Sequence, residues 1–249
     1  MRIRRFGTGA PRIAYLHGFT QHGGHMAELA ELVGVAGLAP DLPGHGPEPH
    51  LPATMDEAIE RVAEAVTGIE VLVGYSMGGR VALRVAPRLP DLRALVLVSA
   101  GSGLPDARVG ERQLADDRLA EHIESGSLEH FIDEWMALPM FAGLRALDEE
   151  RWEADRAMRL EGSAAGLAAS LRGMGQGVVG RVADAQLASL GIQLHAIAGA
   201  LDPAYVAAAE HLVGVAPRAE LHIHPRAGHA VVGEDPRFVA RIVRSLVTR

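Results

Sequence analysis

Three residues far apart in the chain have the types and the settings that acyl-transfer or proton-transfer chemistry requires. Ser76 stands in Gly74-Tyr75-Ser76-Met77-Gly78-Gly79, a G-x-S-x-G between an apolar run and an amphipathic one. A serine at such a junction must turn sharply, and flanking glycines remove the side chains that would clash across the turn. A serine hydroxyl is inert by itself. It needs an imidazole to take its proton and a carboxylate to orient that imidazole. Asp202, in Gly199-Ala200-Leu201-Asp202-Pro203, and His229, in Arg226-Ala227-Gly228-His229-Ala230, each follow a late apolar run, in the chain order Ser, Asp, His. Asp202 also suits a helix cap before Pro203, and His229 a simple loop position.

Acyl and enolate chemistry further needs donors for a developing oxyanion. The loop His17-Gly18-Phe19 after the first apolar run offers the backbone N–H of Phe19, and Met77, the residue after the serine, offers the other. His17 reads as a prop for that loop. A metal reading of His17, His22, His25 and His45 lacks an H-E-x-x-H pair, and His222 with His224 reads as packed on a strand face, so no metal is expected. Gly7–Gly9 and Gly173–Gly177 lack the strand–helix unit and later acid of a nucleotide site. No cofactor is implied.

Composition narrows the chemistry. All 24 basic residues are Arg, and Lys, Cys and Asn are absent. Without Lys there is no Schiff base and no P-loop lysine; without Cys there is no disulfide, thiolate nucleophile or cysteine metal site. The net charge of −7, with no basic run, excludes a nucleic-acid footprint. The longest apolar runs, Ile69–Val73 and Ala94–Val98, are strand-sized, far below the ~20 residues of a membrane span. Met1–Arg5 is basic but no long apolar segment follows, so a signal peptide is not expected. The expected protein is cytoplasmic, a monomer or homodimer, acting on a small-molecule carboxylate or ester.

The elements that must position these residues follow from periodicity. Strands are predicted at Arg12–Leu16, at a second run that ends with Leu38–Pro40, and at Ile69–Tyr75, Ala94–Val98, Gln193–Ala198 and Glu220–Ile223. Helices are predicted between them, one N-capped by Thr54 or Asp56, one starting at Met77, one over Tyr205–Val213 and a last from Pro236. Fully apolar strands alternating with helices imply an α/β protein whose mostly parallel sheet is covered on both faces. Residues 104–190 break the alternation with helical patterns only. The expected domains are therefore a core of residues 1–103 and 191–249 and a helical cap at 104–190.

Taken together, His17-Gly18-Phe19, Asp41-Leu42-Pro43-Gly44-His45-Gly46, the turn at Ser76, Asp202 and His229 resemble the α/β-hydrolase superfamily along the whole chain. A narrower resemblance is to the menaquinone-pathway synthase family that eliminates pyruvate from a succinyl-enolpyruvyl-hydroxycyclohexene carboxylate. It rests on Gly74 to Arg80, Glu111-Arg112-Gln113, Glu134-Trp135 with Pro139-Met140-Phe141-Ala142, Ala157-Met158-Arg159 with Gly166-Leu167-Ala168-Ala169, and Pro225-Arg226-Ala227-Gly228-His229. That resemblance implies the α/β-hydrolase fold and a catalytic set of Ser76, Asp202 and His229. It also implies substrate carboxylates held by Arg80, Arg112 and Arg159 in a pocket lined by Tyr75 and Trp135.

Arginine suits this task because its fork pairs bidentately with carboxylate. In a chain this rich in arginine, each one singly also suits a surface charge, and Arg80 a salt bridge to the cap. Three functions share the residues: a lyase in which Ser76 and His229 act as base, a carboxylesterase or thioesterase that forms an acyl-serine, and a ligand receptor without turnover.

Overall fold

The computed structural model describes residues 1–247. Among the described residues there are seven strands: β1 (Ile3–Phe6), β2 (Ile13–Leu16), β3 (Gly37–Pro40), β4 (Val71–Tyr75), β5 (Ala94–Val98), β6 (Gln193–Gly199) and β7 (Ala219–His224). They form one sheet in the order β1-β3-β2-β4-β5-β6-β7. All pairings are parallel except β1 with β3, which is antiparallel with Ile3 opposite Pro40. This is the α/β-hydrolase architecture. β1 was not among the expected strands. Its Ile-Arg-Arg-Phe is partly exposed, as an edge strand allows, and each face carries one apolar residue and one arginine, so neither a continuous apolar run nor an apolar/polar alternation marks it.

The central strands β4 and β5 are buried at every position, so their sequences are continuous apolar runs. Side chains alternate across the sheet. Leu72 points into a layer built with α2 (Met55–Ala65), α3 (Met77–Val85) and α10 (Pro203–Val215), while Val71 and Val73 point to α1 (Ala27–Val33) and α12 (Pro236–Val247). Thr54, not Asp56, caps α2, its Oγ1 accepting from Glu57 N–H at 3.3 Å. Between β5 and β6 stand α4 (Asp106–Ser125), α5 (Leu128–Met136), α6 (Ala142–Arg145), α7 (Glu149–Arg159), α8 (Ala164–Met174) and α9 (Asp184–Ala188). Within this insertion Ile123, Phe131, Ile132, Phe141, Trp152 and Leu167 bury a third apolar cluster. The short α11 (Val231–Glu234) follows His229. Among the described residues no helix is long and apolar enough to cross a membrane.

What positions the site is the approach of α3 to the carboxyl end of β2. A Cβ added at Gly78 would lie 2.3 Å from Leu16 O and 2.5 Å from His17 O, both backbone atoms that cannot yield. Gly110, inside α4, has nothing within 4 Å of the same added atom. Gly78→Ala is therefore expected to destabilise the protein by about 2–3 kcal/mol through overpacking. Gly110→Ala should stabilise it by about 0.5–1 kcal/mol, through helix propensity. Urea unfolding of the two variants against the parent checks both, and equal midpoints would refute the close approach.

Candidate active site

β4 ends at Tyr75 and α3 begins at Met77, so the whole reversal falls on Ser76, whose φ is +51°. A non-glycine residue there carries strain of about 1–3 kcal/mol that the surroundings must hold. They do so through Ser76 N–H donating to Val98 O at 2.9 Å, and through Gly79 and Arg80 N–H donating to Ser76 O at 3.1 and 3.3 Å. The hydroxyl is thereby raised at the carboxyl edge of the sheet. Ser76 Oγ lies 2.9 Å from His229 Nε2, and His229 Nδ1 lies 2.8 Å from Asp202 Oδ2. With Nδ1–H donated to the carboxylate, Nε2 is the nitrogen left to accept from the serine. Asp202 also caps α10, its Oδ1 accepting from Tyr205 N–H at 3.4 Å. The two readings of Asp202, cap and orienting acid, are thus served by its two oxygens. The His229 ring is buried among Tyr205, Tyr75 and Phe141, with centroids at 4.5, 5.7 and 6.4 Å.

The loop after β2 runs beside the serine. His17 Nδ1–H donates to Gly18 O at 2.8 Å, and its Nε2 accepts from Leu42 N–H at 2.9 Å, tying this loop to the one after β3. Asp41 adds a second tie, Oδ1 accepting from Gly23 N–H at 2.8 Å. Burial pushes the fully enclosed His17 well below the usual imidazole range, and pushes its neighbour His45 down to about 4. Among the described residues no acceptor is paired with the backbone N–H of Phe19 or of Met77. Both residues line the cavity in front of Ser76 and His229.

That cavity has a volume of about 770 Å³ and is walled by the core on one side and the helical insertion on the other. Five arginines line it, Arg80, Arg108, Arg112, Arg159 and Arg181, and no carboxylate does among the described residues. Arg80, on the first turn of α3, is buried; one guanidinium N–H donates to Met174 O at 3.3 Å and Nε has no acceptor. Desolvation holds its pKa below the ordinary arginine value. Arg159, 2% exposed, donates from Nε to Asp155 at 2.6 Å and from a terminal nitrogen to Thr20 Oγ1. Arg112 donates from Nε to Asp116 at 2.7 Å. Tyr75 and Trp135 line the same space, and the Trp135 indole N–H is buried without an acceptor.

All ten expected site residues, Ser76, Asp202, His229, Phe19, Met77, Arg80, Tyr75, Arg112, Trp135 and Arg159, are therefore within or directly bonded to one cleft. Sequence reasoning missed Arg108, Arg181 and Tyr205 in its wall, and the carboxylates Asp116 and Asp155 that hold Arg112 and Arg159. The last two carry a usable signal, since Arg112/Asp116 and Asp155/Arg159 are i,i+4 pairs on predicted helical segments. Arg108 stands one helical turn before Arg112 and so shares its face of α4, whereas Arg181 carries no signal, because its facing is fixed by how the insertion folds back.

Comparison with known proteins agrees with this architecture. The sequence profile of the alpha/beta hydrolase family matches residues 13–242. The 2-succinyl-6-hydroxy-2,4-cyclohexadiene-1-carboxylate synthase of Salmonella paratyphi A is 31% identical over 239 residues, covering 93% of this chain and 91% of that protein. Among solved structures, MenH from S. aureus superposes with a TM-score of 0.91 at 24% identity, covering 99% of this chain and 97% of the other. A malate-bound thermophilic esterase from Thermogutta terrifontis superposes with a TM-score of 0.83 at 24% identity, covering 99% and 92%.

The buried imidazoles make stability depend on pH. His17, His25 and His45 stay neutral in the folded state below the ordinary value of 6.5, whereas the unfolded chain protonates them there. The unfolded state then binds more protons, so stability is lost as pH falls from about 6.5 towards 4. His45 by itself accounts for about 3 kcal/mol of that loss. Thermal melts from pH 7 to 4.5 should show the decline, and His45→Gln should flatten it; a level parent profile would refute buried neutral histidines.

Proposed function

The chain belongs to the alpha/beta hydrolase family, in the branch of the 2-succinyl-6-hydroxy-2,4-cyclohexadiene-1-carboxylate synthases, and on that basis we propose that it eliminates pyruvate from a succinyl-enolpyruvyl-hydroxycyclohexene carboxylate. The observation that carries the proposal is a cavity before Ser76 and His229 lined by five arginines and no carboxylate; Arg112, Arg159 and Arg181 pair with Asp116, Asp155 and Asp184 outside that lining, while Arg80 has no carboxylate partner among the described residues. A buried guanidinium without an anion is costly, by several kcal/mol for an ion moved out of water. Arg80, with its Nε unsatisfied, is built for an anion that arrives from outside. A substrate bearing several carboxylates supplies that anion, and a neutral ester does not.

In this reading Asp202 fixes the His229 tautomer, and His229 draws the proton from Ser76 so that the serine oxygen removes a proton from the substrate ring. The C–H electron pair moves into the ring as an enolate forms on the neighbouring carbonyl, whose oxygen is met by the N–H groups of Phe19 and Met77. Collapse of the enolate breaks the C–O bond to the enolpyruvyl group. The proton held on His229 passes to the departing enol, which leaves as pyruvate. Ser76 is a base here and is never acylated. Arg80, Arg112 and Arg159 hold carboxylates so that the ring proton faces Ser76, and the helical insertion acts as a cap that excludes water. The indole N–H of Trp135 offers one more donor to the bound anion.

The hydrogen bond of 2.9 Å between Ser76 and His229 equally supports attack on an ester or thioester carbonyl, which is the alternative. The test is pyruvate release from the enolpyruvyl substrate set against turnover of a panel of short acyl esters. Pyruvate release with negligible ester turnover is expected; the reverse result would replace this reading with the esterase. Arg80→Ala should lower kcat/KM for pyruvate release at least about tenfold, since a charge-assisted contact contributes about 1.5–3 kcal/mol. An unchanged value removes Arg80 from the binding set.

A further inference from the structure

A second group of chemically competent side chains lies on β6 and β7, away from the cavity. The strands are parallel, with His195 opposite Glu220, and His222 stands two residues beyond Glu220. Residues two apart on a strand share a face, so Glu220 and His222 project on the same side of the sheet. Ile197, two residues after His195, packs in the layer of α1 and α12, whereas Ile223 packs in the opposite layer. His195, Glu220 and His222 thus share the α12 side of the sheet.

The donor atoms converge. His195 Nδ1 and His222 Nε2 are 3.0 Å apart, and Glu220 Oε2 is 3.8 Å from each of them. A point about 2.1 Å from all three atoms satisfies those separations, which is the Zn–N and Zn–O bond length of protein sites. Two imidazoles and one carboxylate are a donor set that suits borderline divalent transition metals and does not suit calcium or magnesium. The neighbouring His224 behaves otherwise. Its Nε2 is 3.1 Å from Asp235 Oδ2 and its Nδ1 accepts from Ala227 N–H at 2.9 Å, so it is spent on the loop that carries His229. His222, expected with His224 to be packed, stacks its ring on that of His195 with centroids 5.3 Å apart, beside Glu220.

We propose that His195 Nδ1, His222 Nε2 and a Glu220 carboxylate oxygen form a binding site for one divalent metal ion of the zinc class, with a further position open to water. The three ligands come from two adjacent strands, one of them the sheet edge, so the ion ties β7 to β6. Binding displaces the proton that the two imidazoles share. Glu220 is largely exposed and leaves the outer side of the site to solvent, and none of the three residues lines the Ser76 cavity, so the site is separate from the reaction centre. Asp202 and His229 follow these same two strands, so the ion also steadies the strands from which that pair is hung. The site stands independently of the reaction proposed for the cavity.

Calorimetric titration of the tag-free, chelator-treated full chain with zinc chloride tests this. One equivalent bound at micromolar metal is expected for the parent, with affinity lowered at least about tenfold in His222→Ala and in Glu220→Gln. Glu220→Gln changes an exposed side chain and keeps the test open should His222→Ala fold poorly. Cobalt(II) in place of zinc should give visible ligand-field absorption that both variants lose, and zinc should slow amide exchange in β7. No binding by the parent, or stoichiometric binding unaltered in both variants, would overturn the site.

Discussion

The 2.9 Å contact between Ser76 Oγ and His229 Nε2 joins residues 153 positions apart, and most of the fold is arranged so that it forms. Ser76 stands after β4, Asp202 after β6 and His229 after β7, all at the same edge of one parallel sheet. Parallel pairing puts every carboxyl end on that edge, which is why residues distant in sequence meet there. The tolerance is small, since a hydrogen bond fades within a few tenths of an ångström. It is met by stiff devices: the strained φ of Ser76, the close seat of α3 on β2, and the capping of α10 by the very carboxylate that orients the histidine.

Charge is distributed unevenly over the molecule. The chain is acidic overall, with a net charge of −7, yet its cavity is walled by five arginines. An acidic exterior around a basic cleft concentrates positive potential where it is useful and excludes it elsewhere. Arg112 and Arg159 are steadied by Asp116 and Asp155 from behind, so their forks are held in place without being neutralised from the front. Arg80 has no such partner among the described residues.

The helical insertion is bound to the core at points that bear on the same chemistry. Arg84 of α3 donates to Val179 O at 2.9 Å and to Gly180 O at 2.6 Å, clasping the end of the insertion. Arg159 of α7 donates to Thr20, the residue after Phe19 and itself at positive φ. The insertion thereby touches the loop that carries one candidate oxyanion donor. Its Trp135 ring lies 5.1 Å from that of Phe19. The contacts that cover the cleft and those that hold that loop are in this way shared.

Much of this was legible in the chain because it is written in local terms. A turn that only Gly-x-Ser-x-Gly can make, apolar runs of strand length, and an acid and a histidine each placed after a late strand depend on nearest neighbours along the sequence. The absence of Lys, Cys and Asn likewise fixed which nucleophiles and cations remained. Other features depend on contacts between segments and had no local trace. Arg181 faces the cavity only because the insertion folds back over the core. Arg80 meets a backbone carbonyl, Met174 O, rather than a carboxylate only because of how the end of α8 packs against α3. His195 meets Glu220 only through the register of two strands whose order in the sheet is a property of the whole. Periodicity specifies which side of an element is apolar, but burial, charge pairing and register between elements are set by packing, and those the tertiary structure alone decided.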